Sequence, residues 1–251
     1  PHVLHIDIPF KDAAIDMLST MRRTPRSIDA VAEALNIKAS DRKLFDTFFT
    51  QEPPKPYPAY KGDKIRMRYF GHACILVETK DTSILVDPVI SYHGYPTEVS
   101  RYSELHLPEK IDYVLITHNH QDHILFETLL ALRHKIGHIV VPRNGNGTFQ
   151  DPSLKLMFNK IGFNNVIEIE EFDTITSANC QITGLPFMGE HSDLDVRTKL
   201  CHHVKIGQYS LLFAADSCNV EPKLYEHVSK ITGPIDSIFL GMECDGAPLT
   251  W

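Results

Sequence analysis

The sequence has few cysteines, little positive charge and no long apolar run. Its five cysteines are odd in number and form no C-x-x-C pair, which excludes a disulfide framework and is typical of reduced cytoplasmic thiols. Lys and Arg number 25 against 32 Asp and Glu, so the chain lacks the basic field that supplies nucleic-acid affinity. No apolar run approaches the ~20 residues that span a bilayer, and Pro1-His2-Val3 does not begin a secretory signal. We therefore expect a cytoplasmic protein with neither a membrane nor a nucleic-acid partner, processed or cut from something longer.

The remaining composition is that of a globular protein. Of 251 residues, 43% are hydrophobic and 23% are charged, which suits one sizeable α/β domain plus an appendage. Fourteen histidines are the one unusual count.

The first fifty residues predict a small helical segment. Ser27 is placed to cap a helix with apolar residues at helical spacing, and Ser40 to cap a second one. Residues 51–63 contain four closely spaced prolines, which neither a helix nor a central strand tolerates. We interpret residues 1–50 as the helical segment, 51–63 as a Pro-rich linker and 64–251 as the main domain.

The main domain alternates strand and helix patterns. Two short apolar runs around Lys80-Asp81 predict a hairpin, and residues 113–117 predict a buried strand followed by a helix over 124–135. Further strands are expected at 138–142, 166–169, 180–187 and 203–215, and a helix at 221–230. This rhythm indicates an α/β fold.

The informative motif lies between the strand at 113–117 and the helix that follows it. The run His118-x-His120-x-Asp122-His123 offers four metal donors within six residues. Alternate side chains of an extended segment share one side, and the turn into the helix can bring His123 back toward them. Two metal ions a few ångströms apart can divide these donors.

Four motifs, in this order, resemble the metallo-β-lactamase superfamily: Gly71-His72-Ala73, the strand end at Asp87, the H-x-H-x-D-H run, and Asp216 at the end of a later strand. The resemblance implies a metallo-β-lactamase-type αββα sandwich. It also implies that His118 and His120 bind one metal, that Asp122 and His123 bind the other, and that Asp216 bridges the two.

The segment between the H-x-H-x-D-H run and Asp216 departs from the usual zinc hydrolase of that family. The segment Gly189-Glu190-His191 offers either Glu190 or His191 as a ligand where such hydrolases have a single His. Its surroundings resemble a subgroup, the dinuclear-iron β-hydroxylase of chloramphenicol biosynthesis and its relatives, in which the Glu is the ligand. With Glu190 the shell holds three carboxylates, and hard oxygen donors favour iron or manganese over zinc.

The family also implies a last His ligand well after the bridging Asp, but the sequence stops at Trp251. His227, in a predicted helix, is a poor substitute. The second half of the fold is therefore expected to be incomplete in this chain. Either the chain is a fragment, or a second polypeptide segment supplies the last His, or the second metal binds weakly.

Several residues are expected near the metals without binding them. His72 and Asp87 are predicted to support the ligands by hydrogen bonds, and at most one of His202 and His203 can approach the metals, both otherwise being strand surface. The predicted pocket residues are Tyr92, His93, Tyr95, Glu243 and Asp245.

The resemblance implies a monooxygenase with two iron ions and O₂ as co-substrate. Its substrate would be an aminoacyl group on a peptidyl carrier domain in nonribosomal peptide or antibiotic biosynthesis, β-hydroxylated with electrons from a reductase. One alternative is a dizinc or mixed-metal hydrolase of a lactone, ester or phosphodiester, which uses a metal-activated hydroxide as nucleophile. The other is a non-catalytic binding module of the same fold, which would lack the ligands.

Overall fold

The computed structural model describes residues 3–52, 57–90, 100–144, 149, 151–189, 196–218 and 221–241. They form a helical N-terminal segment and two β-sheets packed face to face, with helices against both outer faces. This is the predicted αββα arrangement.

The first sheet has six strands, in the order of the chain: β1 (Arg66–Gly71), β2 (Cys74–Glu78), β3 (Ser83–Val86), β4 (Ile111–Leu115), β5 (Ile136–Pro142) and β6 (Val166–Ile169). β1 to β3 pair antiparallel through short turns, and β3 to β6 pair parallel. Parallel neighbours need crossovers, and α4 (Phe126–Leu132) and α5 (Leu154–Lys160) lie in two of them.

The second sheet has five strands in the order β11-β10-β9-β8-β7. They are β7 (Thr174–Thr176), β8 (Cys180–Leu185), β9 (Cys201–Ile206), β10 (Tyr209–Ala215) and β11 (Ser237–Leu240). All neighbours are antiparallel except β10 and β11, which are joined through α6 (Pro222–Thr232).

The main core lies between the sheets. Val77, Ile84 and Leu115 of the first sheet pack against Val204 and Phe213 of the second. A separate cluster fills the space between the first sheet and α4 and α5. Every residue of β2 and β3 is therefore buried, which explains their continuous apolar runs.

The N-terminal segment contains α1 (Ala13–Thr20), α2 (Ile28–Ala34) and α3 (Arg42–Asp46) around a small core of its own. α2 begins after Ser27 as predicted, but the Ser27 side chain makes no cap bond. The Ser40 prediction is wrong, because a 3₁₀ turn precedes α3 and Asp41 becomes its N-cap. Arg133 ties this segment to the sheet domain through Asp16. The three-part division of the chain stays a prediction.

The other elements differ from expectation mainly at their ends. The helix expected over 124–135 begins at Phe126 and finishes as a 3₁₀ turn, Arg133–Lys135. The strand expected over 203–215 is the hairpin β9 and β10, which turns at Gly207 with φ 59°. α5, β7 and β11 were not predicted, and both of those strands are partly exposed sheet edges. In the part of the chain that the structure describes, no helix has the length and apolar character to cross a bilayer.

Candidate metal centre

The predicted ligands meet at one edge of the two sheets. Asp87 follows β3, His118 and His120 follow β4, and Asp216 follows β10. Carboxyl ends of neighbouring strands converge at this edge, so residues far apart in the sequence become neighbours. His72 reaches the same place from the turn between β1 and β2.

His118 and His120 are buried and face each other. Nε2 of His118 lies 2.9 Å from Nδ1 of His120, and the two rings are nearly perpendicular. Two nitrogens that each bind a metal at about 2.0–2.1 Å are roughly 3 Å apart, so this separation suits a shared ion.

Asp87 orients two of the histidines. Its Oδ2 accepts from Nδ1 of His123 at 2.8 Å and from the Thr117 hydroxyl at 2.6 Å. Because the single Thr117 proton goes to Asp87, the hydroxyl oxygen accepts from Nδ1 of His118, 3.0 Å away. Both imidazoles therefore have Nδ1 engaged and direct Nε2, the atom that would bind a metal, into the site.

Asp216 contacts ligands assigned to both metals. Its Oδ2 lies 3.4 Å from Nε2 of His118 and 3.1 Å from Nε2 of His123. One carboxylate oxygen between the two predicted metal positions suits the bridging role that the resemblance implies.

The electrostatics of this edge favour a cation. Burial lowers the pKa of His118, which keeps the imidazole neutral and able to bind a metal. At His123 burial acts in the same direction, but hydrogen bonds to Asp216 and Asp87 outweigh it and raise the pKa to about 10. The two carboxylates thus stabilise positive charge at the position where a metal would lie.

A second group of donors surrounds Asp122. Its Oδ2 is 3.0 Å from Nε2 of His72 and 3.9 Å from Nε2 of His123, and the two imidazole Nε2 atoms are 3.3 Å apart. His72, predicted to support the ligands from outside, thus directs its own nitrogen into the donor set. The side chains of His72 and Asp122 are about half exposed, at 46% and 58%, so this side of the centre is open to solvent.

These donors fit a dinuclear metal centre. Each of two groups, His72 with Asp122 and His123, and His118 with His123 and Asp216, has its ligand atoms within 4.8 Å of one another. His123 belongs to both groups, so the two candidate positions are adjacent. Imidazole and carboxylate together suit iron, manganese or zinc.

The remaining candidate histidines that the structure describes lie outside the donor groups. His202 and His203 are both buried, which corrects the expectation of strand surface, because β9 lies in the middle of its sheet. Nε2 of His202 donates to the Ile116 carbonyl, and His203 pairs with Ser210. His227 is exposed on α6. Outside the described residues lie Glu190, His191, Tyr92, His93, Tyr95, Glu243 and Asp245.

Sequence reasoning missed Thr117 and Phe187. Phe187 packs its ring 5.2 Å from that of His118. A signal for Thr117 was available, since a hydroxyl directly before a ligand at a strand end can orient it.

The backbone is strained where these side chains are presented. His72, Asp87 and Ala215 have φ values of 48°, 39° and 45°, in the left-handed region that residues other than glycine rarely adopt. Each lies at a strand end beside the donors. Such strain persists only where surrounding contacts enforce it, and it is common at functional sites.

Comparison with known proteins finds relatives of both the N-terminal segment and the sheet domain. A profile of the β-lactamase superfamily domain matches residues 82–245, and a profile of the diiron non-heme β-hydroxylase N-terminal domain matches residues 1–53. The chain is 38% identical over its whole length to the 4-amino-L-phenylalanyl-CmlP-peptidyl-carrier-protein 3-hydroxylase of Streptomyces venezuelae. A UPF0173 protein of Pyrococcus abyssi is 41% identical over 68 residues, 27% of each protein.

A solved structure matches the fold closely. The chain superposes on the crystal structure of CmlA, a diiron β-hydroxylase from Streptomyces venezuelae, with a TM-score of 0.83 and 37% identity over 96% of its length. It spans 48% of the length of the curated hydroxylase and 45% of that crystallised chain. The predicted fold class and the predicted resemblance to the dinuclear-iron β-hydroxylases are confirmed. The chain belongs to the β-lactamase superfamily and has the metallo-β-lactamase fold.

Proposed function

We propose that this chain belongs to a dinuclear non-haem iron oxygenase that hydroxylates the β-carbon of an aminoacyl group carried on a peptidyl carrier domain. One observation carries the proposal: two adjacent donor groups share His123 in a chain that is similar along its whole length to a diiron β-hydroxylase. The carrier-bound substrate follows the name of that relative.

Each ligand has a defined part in the proposal. His118, His120 and Glu190 would hold the first iron, Asp122 and His123 would hold the second, and Asp216 would contribute its carboxylate to both. Asp87 keeps His118 and His123 in the tautomer that binds metal, through Thr117 in the first case. Three carboxylates per pair of ions stabilise the higher oxidation states of iron better than a shell of imidazoles would.

In the proposed reaction, one atom of O₂ is inserted into the β-C–H bond and the other is released as water. The reaction consumes two electrons and two protons. Two reduced iron ions, when bound, supply the redox chemistry that activates O₂. A reductase supplies the electrons. A reducing, cytoplasmic setting is supported by the thiols, since Cys74, Cys180 and Cys201 are buried and free.

The half-exposed side chains of His72 and Asp122 mark the side from which a carrier-bound substrate approaches.

The test is metal analysis of the full-length protein together with its reaction with O₂. We expect about two iron ions per chain, and O₂ consumption after chemical reduction that yields a β-hydroxylated aminoacyl carrier. About two zinc ions, no reaction with reductant and O₂, and turnover of a lactone or phosphodiester would instead identify a hydrolase, since zinc has no accessible redox step.

Two matched variants separate the ligand alternatives. If Glu190 binds iron, Glu190→Ala lowers the iron content and removes the near-ultraviolet absorption of bridged ferric ions, whereas His191→Ala retains both. The reverse pattern would assign His191 and favour the hydrolase.

The hydrolase is the second candidate because of the imidazoles. His72, His118, His120 and His123 all direct ring nitrogens into the donor groups, and zinc prefers such ligands. A non-catalytic module is disfavoured, since the described residues retain the donors that such a module would have lost.

A further inference from the structure

We propose that Lys199 is a positioning residue for the first metal. In this proposal its ammonium group fastens the segment that leads to Glu190 against the strand end that carries His118. The inference rests on the metal centre of the proposed function.

The backbone of Lys199 is fixed beside the first ligand. Lys199 and His118 form an isolated antiparallel bridge, and the next amide, Leu200 N–H, donates to the Thr117 carbonyl at 2.8 Å. These two contacts hold residues 199–200 against the backbone of Thr117 and His118.

The side chain of Lys199 extends from there to the segment that precedes Glu190. Its Nζ donates to the carbonyl of Gly189 at 2.8 Å and lies 5.5 Å from the centre of the Phe187 ring. Phe187 is the residue whose ring packs on that of His118. One ammonium thus contacts both ends of the segment from Phe187 to Gly189, directly before Glu190.

The opposite side of that segment is held by the loop after Asp216. The Cys218 amide donates to the Met188 carbonyl at 2.7 Å. Gly189 has φ 102°, and a Cβ placed there would lie 2.4 Å from Sγ of Cys218. A side chain at position 189 would therefore clash with Cys218, and Lys199 holds the Gly189 carbonyl by its hydrogen bond. The clamp joins all three ligand-bearing segments of the first metal position.

The test is Co²⁺ titration of the metal-free, full-length protein, followed by its visible ligand-field spectrum. Lys199→Met removes the ammonium but keeps the backbone bridge, and Lys199→Arg keeps a cationic donor. Lys205→Met is the matched control, an exposed lysine on β9. We expect Lys199→Met to weaken one of the two Co²⁺ equivalents about tenfold and to alter its spectrum, as loss of an outer-sphere partner does. Lys199→Arg should restore most of the affinity, and the control should match the wild type.

Three results would overturn the inference. The first is wild-type Co²⁺ affinity and spectrum in Lys199→Met. The second is equal weakening of Co²⁺ binding in Lys199→Arg and Lys199→Met. The third is a lower unfolding temperature of Lys199→Met with an unchanged spectrum, which would mean a purely structural contact. Should Lys199→Met fail to fold, Lys199→Gln is judged by the same criteria. A wild-type protein that binds no Co²⁺ would refute the metal centre itself. If the wild type binds Co²⁺ and Lys199→Met binds it equally well, only this inference is refuted.

Discussion

Among single residues, the bridging carboxylate of Asp216 is the position that should tolerate substitution least. Asp216 carries a charge and two oxygens, whereas an amide in its place has no charge and bridges two cations poorly. We expect Asp216→Asn to lower the content of both metals, and His120→Ala to lose one of the two, as measured by elemental analysis of the purified protein. Unchanged loading in Asp216→Asn would contradict the bridge.

Asp87 shows how one buried side chain prepares two ligands. Asp87→Asn places an amide where both oxygens accept hydrogen bonds, so His118 and His123 lose the partners that set their tautomers. We expect a 10–100-fold loss of metal affinity, measured by competition with a chelator. Asp81→Asn, in an exposed turn, is the control and should bind metal as the wild type does. Equal affinity of both variants would remove the orienting role.

At the scale of elements, one arginine docks the N-terminal segment. Arg133 donates to the Asp16 carboxylate and to the carbonyls of Phe10, Asp12 and Ile161. Arg133→Met leaves these acceptors without their donor, so we expect a loss of about 3 kcal/mol in the free energy of unfolding. Denaturant unfolding measures the loss, and faster proteolysis of residues 1–50 would show the release. Arg143→Met, at an exposed pair with Glu170, should change stability little.

The same 3₁₀ turn contains a buried lysine that predicts a pH dependence. Burial, with Arg23 and Arg22 nearby, lowers the pKa of Lys135 from 10.5 to about 8, although Glu104 opposes this. Below about pH 8 the folded state carries the full penalty of the buried charge. Between the two pKa values the unfolded state binds more protons, so stability rises with pH.

Lys135→Met should abolish this contribution. We expect the variant to be more stable than the wild type near about pH 7, with a difference that shrinks toward about pH 10. Urea unfolding of both proteins across this range measures the difference. A difference independent of pH would show that the lysine is charged in the folded protein throughout.

At the scale of the whole molecule, the metals should stabilise the fold, because their ligands come from both sheets. Chelation should lower the unfolding temperature, with about 2.7 kcal/mol lost relative to protein at a metal concentration 100 times the Kd. Differential scanning calorimetry with and without chelator measures the shift. In His120→Ala the shift should be smaller, and an equal shift would place the stabilising metal elsewhere.

The local sequence determined those parts of this protein that depend on neighbours along the chain. The apolar runs of β2 and β3, the helical spacing in α2 and the donors at 118–123 each appear within a few residues, so pattern and spacing were sufficient. The predicted carboxyl end of α4 and the predicted start of α3 were less accurate, because 3₁₀ turns adjoin the helices there.

Contacts between distant segments depend on how the two sheets pack and are not visible in the local sequence. Burial of His203 depends on what covers the central strand of the second sheet. The entry of His72 into the donor set depends on a turn 51 residues from His123. The clamp by Lys199 depends on its backbone bridge to His118, and the spacing of these two residues along the chain does not predict that they meet. Such contacts arise only when the two sheets pack and bring the carboxyl ends of their strands to one edge.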